Sequence, residues 1–438
     1  MIISLVRAIA RILLFTTISL VPSTGVSASF NKNNDYDPLL VNFTSHLAWF
    51  QSQGGAIDPR VTIGYDPNIP NSHVRGVISN DFIPVDTVLV RCPSSLILKR
   101  VGDQDCQLIE QIWNELKLGE RSKWFPMFEF DDISGSRIPC QWNRVGRAIA
   151  YLQGLWPAWG PHRHLNWYIE TCLNGERDES TLDDLEMKAL LTSLTRSSDA
   201  GLVPMYLLFN HNNALINTRL TYTEEGGMTI IANENIHLNE PIYITYNRAG
   251  FATTSDVFNL YGFIEDYPQI WTWPALLGGS LDRDDRIKAL TNDEEKKNID
   301  HEYRLSEYEI LVISPTLGAL SPTRSLLQDI GNRRISYGEW IDRIHAHHSS
   351  LRLSHARKLS RSASLLLDSL PTTIKQDSSH INYENTRMQF MKAEGKEIRD
   401  EQLDALQAIE YRLAYKKALR LAIEVAESGG FLEEFDEL

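Results

Sequence analysis

The sequence predicts an α+β protein made of a β-rich first module, a helical insert within it and an all-helical C-terminal module. Three observations predict this. Short apolar runs broken by polar turns lie between Val61 and Arg91 and return after Leu202, the pattern of short strands. From about residue 100 to 200 the apolar residues fall instead at helical intervals, with Leu108, Ile112 and Leu116 in one set and Val145, Ile149 and Leu152 in another. Beyond about residue 280 helical spacing recurs, with Ile341, Ile344 and His348 on one face and Leu406, Ile409 and Leu413 on another.

Taken in order, Leu39 to Phe50 predicts a helix, since Leu40, Phe43, Leu47 and Phe50 share a face. Val61 to Tyr65, Val74 to Ser79 and Val85 to Arg91 predict strands, the last two separated by Asn80-Asp81 and Pro84. The insert is rich in tryptophan: Trp113, Trp124, Trp142, Trp156, Trp159 and Trp167. Thr229 to Ala232 and Pro241 to Thr245 predict strands, and Glu224-Glu225-Gly226-Gly227 predicts a hairpin turn. Residues 401–427, rich in Lys, Glu, Ala and Leu, predict a long terminal helix, and the polar segment 371–386 before it predicts a loop.

At 438 residues with 42% apolar content, the chain can bury a large core without disulfide staples. A formal net charge of −14 and the lack of a long basic stripe exclude a general nucleic-acid-binding surface. A basic partner peptide or protein fits that charge better. Cys92, Cys106, Cys140 and Cys172 form no CxxC pair and no zinc-ligand spacing, so they predict structural thiols and no metal site. The N-terminus reads as a targeting segment over residues 1–28. Arg7 and Arg11 precede an apolar run, Ile12 to Val21, and Val26-Ser27-Ala28 supplies small residues for cleavage. The run is too short to span a membrane as an ordinary helix, so no stable span remains once the segment is removed. Val26 to Phe30 (VSASF) is similar to the junction of a bipartite plastid presequence. Secretion or an endomembrane address is the alternative, and Asn42-Phe43-Thr44 is a glycosylation sequon.

Two segments carry candidate chemistry. Leu202 to Asn213 (LVPMYLLFNHNN) runs apolar and then ends in Asn210-His211-Asn212-Asn213. Apolar residues deliver that polar cluster to the core, where it must find partners or line a cavity, unless the strand simply ends in a turn. Downstream, the turn Asn239-Glu240-Pro241 precedes Ile242 to Tyr246 and a polar loop, and the segment closes with Tyr261-Gly262-Phe263-Ile264-Glu265. Tyr246 and Tyr261 can bring two hydroxyls into one pocket, or each can pack as an ordinary amphipathic aromatic.

The ordered set resembles a SET domain of the Rubisco large-subunit lysine methyltransferase group. His73-Val74-Arg75-Gly76-Val77 looks like its glycine-containing strand motif. Pro204 to His211 looks like its PM-x-D-x-x-NH motif, Asn239-Glu240 its GE-type turn, Tyr246 its catalytic tyrosine and Tyr261-Gly262-Phe263 its terminal YGF. Ile138-Pro139 with Trp142, and Leu152-Gln153-Gly154-Leu155, are similar to its P-x-x-W and LQG-type segment, and Arg196 to its arginine before the Asn-His pair. The resemblance covers nearly all of the chain after the targeting segment. It implies a SET domain over 37–270, with the insert at about 100–200, and a helical substrate-binding domain over 280–438.

By resemblance, His73, Val74 and Arg75 cradle S-adenosyl-L-methionine, Arg196, Asn210 and His211 contact it, and Tyr261, Gly262 and Phe263 close its adenine and channel side. Tyr246 stands at the transferred methyl. The implied activity is protein-lysine N-methylation of a non-histone substrate docked on the C-terminal helical domain. A histidine acceptor, as in the group's actin-histidine branch, and a catalytically weak or inactive SET-like binding module are the alternatives. Three departures bear on this: Leu207 replaces the motif's acid, Asn212 replaces the usual Ser, and Val74 replaces the first glycine, leaving Gly76. His345-Ala346-His347-His348 reads as a solvated helix face rather than a transition-metal site.

Overall fold

The strand-forming runs pair into several small sheets rather than one large one. In the computed structural model, β1 (Ala56–Ile57), β4 (Val88–Cys92), β9 (Thr218–Tyr222) and β10 (Met228–Ala232) form an antiparallel sheet in the order β1-β4-β10-β9. A register shift between Ile230 and Ile231 lets Leu89 and Val90 both be buried in β4, which strict alternation forbids. The Glu224–Gly227 segment turns β9 into β10, with the Thr223 amide donating to the Gly227 carbonyl at 2.9 Å. A hairpin of β2 (Val61–Tyr65) and β3 (Arg75–Ser79) stands beside the turn at Asn239-Glu240, where the Ser79 amide donates to the Glu240 carbonyl. The structure describes residues 38–66, 75–100, 105–130, 137–152, 155, 160–213, 215–246, 253–267, 269–274, 308–314, 318–320 and 353–427. The chain divides into two compact units, Met1–Val41 and Asn42–Leu438. Of the first, only the helical backbone of residues 38–41 is described, the start of α1 (Pro38–Ser52). The expected targeting segment, His73, Val74 and the 345–348 histidines lie outside the described residues.

The insert is helical as expected. After β5 (Leu98–Lys99), it holds α2 (Cys106–Leu118), α3 (Phe125–Phe130), α4 (Arg147–Tyr151), α5 (Arg163–Trp167) and α6 (Asp184–Arg196). Leu108, Ile109 and Ile112 of α2 are fully buried, and α2 packs on α6. The chain then forms β6 (Ser197–Ser198) and β7 (Gly201–Leu202), which complete a small sheet with β5. The cysteine expectation holds for two of the four. Cys92 and Cys140 are buried thiols whose pKa values burial pushes up to about 12, so they stay protonated. Cys106 and Cys172 instead form a disulfide across a sequence separation of 66, joining the start of α2 to the π-helical turn Tyr168–Cys172. Spacing alone does not reveal such a long-range pairing.

Toward the C-terminus the chain is helical in α8 (Leu353–Ser369), α9 (Ile374–Ala393) and α10 (Asp400–Glu427). Helices do not account for everything past residue 280. Here β13 (Tyr308–Ser314) and β14 (Gly318–Leu320) extend β12 (Gln269–Pro274) into an antiparallel three-stranded sheet, and the β-branched run of β13 explains it. The segment expected as a loop, 371–386, is mostly the helix α9. Its apolar periodicity is weak because polar groups anchor it. Thr373 and Gln376 form a capping box at its start, and the buried Asp377 binds Arg412 and Lys416 of α10. No helix among the described residues is long and apolar enough to cross a membrane.

One buried apolar cluster joins Trp142, Ala148 and Leu155 of the insert to Trp271 of β12, Ala363 of α8 and Tyr415 of α10. Trp142, wholly buried, lies edge-on to Phe258 at 5.8 Å, and its indole N–H donates to the Gln407 side chain at 3.3 Å. The tryptophan of the P-x-x-W segment thus binds the insert to the C-terminal helices.

Candidate functional site

The Asn-His pair reaches its place through a strained turn. After β7, Met205 adopts a left-handed φ of 67° although it is fully buried, a conformation that costs a side-chain-bearing residue about 1 kcal/mol or more. A 3₁₀ turn, Tyr206–Leu208, follows, and its Leu207 is buried where the resembled motif has an acid. The chain then enters β8 (Asn210–His211), which pairs in parallel with β11 (Tyr243–Ile244), Asn210 opposite Tyr243 and His211 opposite Ile244. This pairing brings the two candidate segments side by side.

Asn210 is tied to the hairpin. Its side-chain N–H donates to the Arg75 carbonyl at 3.0 Å and lies 3.5 Å from an Asp66 carboxylate oxygen. The first bond fixes which end of the amide is which, so the side-chain oxygen points away. Among the described residues that oxygen has no hydrogen-bond partner. Asp66, buried at the end of β2, also accepts from the Tyr243 hydroxyl at 2.8 Å. Gly76 lies directly against this arrangement, because a Cβ there would sit 2.7 Å from the Asn210 amide nitrogen. The retained glycine therefore makes room for the Asn210 side chain. Arg75 itself stacks on Phe130, 4.5 Å from the ring centre, and donates to the Phe130 carbonyl at 3.0 Å.

His211 is fixed at both ring nitrogens. Its Nδ1 accepts the Tyr246 amide N–H at 3.1 Å, and its Nε2 lies 2.9 Å from a Glu265 carboxylate oxygen. Both side chains of that pair are fully buried. The Thr254 hydroxyl donates to the other Glu265 oxygen at 2.5 Å. Tyr246 stacks on His211 at 5.2 Å between ring centres and donates its phenol proton to the Phe209 carbonyl at 2.8 Å.

The closing motif comes from α7 (Thr254–Tyr261). Thr253 and Asp256 cap its start reciprocally, and Gly262 ends it in a left-handed conformation with φ 77°. A Cβ at Gly262 would lie 2.2 Å from the Arg137 carbonyl, so only glycine fits. The helix end brings Tyr261 to 4.5 Å from the Tyr246 ring, and Phe263, partly exposed, to 6.1 Å from His211 and 6.4 Å from Tyr246. The Gln407 side-chain N–H donates to both the Gly262 carbonyl at 3.0 Å and the Arg137 carbonyl at 3.1 Å, so α10 supports this turn.

Of the sequence candidates, the structure gathers Arg75, Asn210, His211, Tyr246, Tyr261, Gly262 and Phe263 into linked contacts. Arg196 stands at the C-terminal end of α6 with a half-buried side chain. Asn212 spends its amide locally, accepting from the Leu215 amide and lying 3.4 Å from Asp266. Sequence reading missed Asp66, Tyr243, Thr254 and Glu265 as members of this network. The only available signal was the position of Glu265 just beyond the Tyr261-Gly262-Phe263 motif. No group of His, Cys, Asp and Glu side chains among the described residues is arranged to hold a metal ion.

A small set of short strands holding this aromatic cluster, with helices inserted and appended, is the SET-domain fold. The structure of Rubisco LSMT bound to AdoMet matches the chain with a TM-score of 0.50 and 17% identity, over 92% of this chain and 94% of that one. The SET domain of LSMT bound to lysine and AdoHcy matches with a TM-score of 0.49 and 16% identity, over 92% and 93%. The first of these likenesses assigns the fold. No protein-family model and no curated protein matches the sequence.

Proposed function

We propose that the chain is an S-adenosyl-L-methionine-dependent protein N-methyltransferase acting on a lysine side chain of a non-histone protein. The observation that carries this reading is the aromatic cluster itself: Tyr246, Tyr261 and Phe263 around His211, beside an Asn210 whose side-chain oxygen has no partner among the described residues. Aromatic faces and acceptor oxygens suit a cation. The cofactor carries both a sulfonium and an ammonium, so the residues present fit it. Asn210, His211, Tyr261, Gly262 and Phe263 would hold it, with Arg75 and, from outside the described residues, His73 and Val74. Arg196 belongs to the same assignment by resemblance. When bound, the cofactor supplies a methyl group on a positively charged sulfur. Rubisco LSMT, which shares the fold, is seen with AdoMet and, in its SET domain, with lysine and AdoHcy.

The chain's own residues supply positioning. The Tyr246 phenol proton is committed to the Phe209 carbonyl, so its oxygen presents lone pairs and acts as an acceptor toward an incoming amine. The Tyr261 hydroxyl has no partner among the described residues and can orient the same amine. A lysine in water is protonated, with a pKa near ~10.4. Desolvation against these rings favours the neutral form that can accept a methyl group. The substrate protein would dock on the C-terminal helices. A histidine acceptor would need less deprotonation and fits the same pocket. The buried Leu207 is the observation favouring a non-catalytic binding module. The Cys106–Cys172 disulfide supports delivery by the N-terminal signal to a compartment reached through the secretory route.

Calorimetric titration of the chain lacking residues 1–28 with S-adenosyl-L-methionine tests this reading. Micromolar binding, followed by transfer of labelled methyl to protein in an extract, is the expected result. No binding by folded protein would transfer the assignment to the binding module.

A further inference from the structure

A buried carboxylate, Glu265, stands behind His211 and the Tyr246 amide. Glu265 is inaccessible to water, and an isolated buried carboxylate is costly unless it is bound on all sides. Its two oxygens are taken by Thr254 and by His211 Nε2. The Thr254 oxygen in turn accepts the Ile270 amide at 3.1 Å, which fixes the direction of its own proton toward Glu265. The Tyr246 amide N–H is equally directional and can be received only by a bare Nδ1. Both ends of the imidazole are therefore specified: Nδ1 without a proton, Nε2 with one, donating to Glu265. A proton on Nδ1 would set an N–H against the Tyr246 N–H.

From this we infer that Glu265 is a positioning residue, which fixes the His211 tautomer and through it the backbone and ring of Tyr246. As a statement about methyl transfer this rests on the proposed function; as a statement about the tautomer and the Tyr246 seat it does not. The role belongs to an acceptor rather than to a charge. Glutamine at 265 can still accept from Nε2–H through its carbonyl oxygen, whereas methionine of similar length cannot.

The test combines imidazole nitrogen NMR of the ¹⁵N-histidine-labelled chain, hydrogen exchange at the Tyr246 amide, and steady-state kinetics. His211→Asn identifies the His211 resonances. The wild-type spectrum is expected to show Nε2 protonated and Nδ1 bare at neutral pH. Glu265→Met is expected to speed Tyr246 amide exchange at least about tenfold and lower kcat by roughly tenfold to a hundredfold, with KM for the protein substrate nearly unchanged. Glu265→Gln should restore both to within a few-fold. A wild-type Nδ1–H tautomer overturns the inference whether or not any variant folds. So does a Glu265→Met protein with unaltered exchange, or a Glu265→Gln protein as impaired as Glu265→Met, which would make the charge the operative feature. Should the chain bind no cofactor, the proposed function fails, while the tautomer and the exchange rates still decide the role of Glu265.

Discussion

At the scale of single residues, the pocket depends on a few directional hydrogen bonds. Removing the Tyr246 hydroxyl leaves its ring stacked on His211 but takes away the oxygen that the proposed function assigns to the acceptor amine. Tyr246→Phe should therefore cut methyl transfer by about a hundredfold while cofactor affinity by calorimetry changes less than about twofold. Equal loss of both would refute the assigned role. Asn210→Ala loses the hairpin tie and the uncommitted oxygen together, and should weaken cofactor binding by about 1.4 kcal/mol, or tenfold. Gly76→Ala should reproduce that loss with Asn210 still in the sequence, because the added methyl displaces the Asn210 amide. Tyr246 and Asn210 were legible in the sequence because each ends an apolar run that aims it inward. Asp66 and Glu265 were not, since each is one carboxylate among the chain's 57 acidic residues and its partners lie far away in the sequence.

At the scale of elements, α9 shows where pattern reading stops. A helix packed through an apolar stripe announces itself, whereas one anchored by a buried ion pair carries no periodic signal. Burial raises the Asp377 carboxyl, but hydrogen bonds from Lys416, Arg412 and Thr372 outweigh it and hold the group below its ordinary 3.8. A folded-state value below the unfolded one stabilises at higher pH, and that stability is lost as pH falls through the folded value. The urea midpoint of the wild-type chain should accordingly drop below about pH 4 more steeply than that of Asp377→Asn. At neutral pH, Asp377→Ala strands the fully buried Lys416 and should cost about 3–5 kcal/mol in urea denaturation. The short strands β2 and β10 and the long helix α10, by contrast, were read correctly because local pattern and final environment agree.

At the scale of the whole molecule, covalent and apolar links hold the insert in place. The Cys106–Cys172 bond closes a loop spanning 66 positions, which by chain entropy is worth at most about 4 kcal/mol. Thermal unfolding with and without reductant should show that loss as a lower Tm. Unchanged melting would mean that the insert is held by packing alone. The second link has an evolutionary consequence. Through Gln407, Tyr411 and Tyr415, one side of α10 belongs to the Gly262 turn and the cluster shared with the insert, while Glu410, Lys417, Arg420 and Glu424 face outward. Such a helix is inherited with its insert as a matched pair. Substitution is free on that outward stripe and on the outer face of α9, where Tyr383 and Phe390 stand exposed, but a C-terminal module borrowed from a distant cousin would arrive without the insert that fits it.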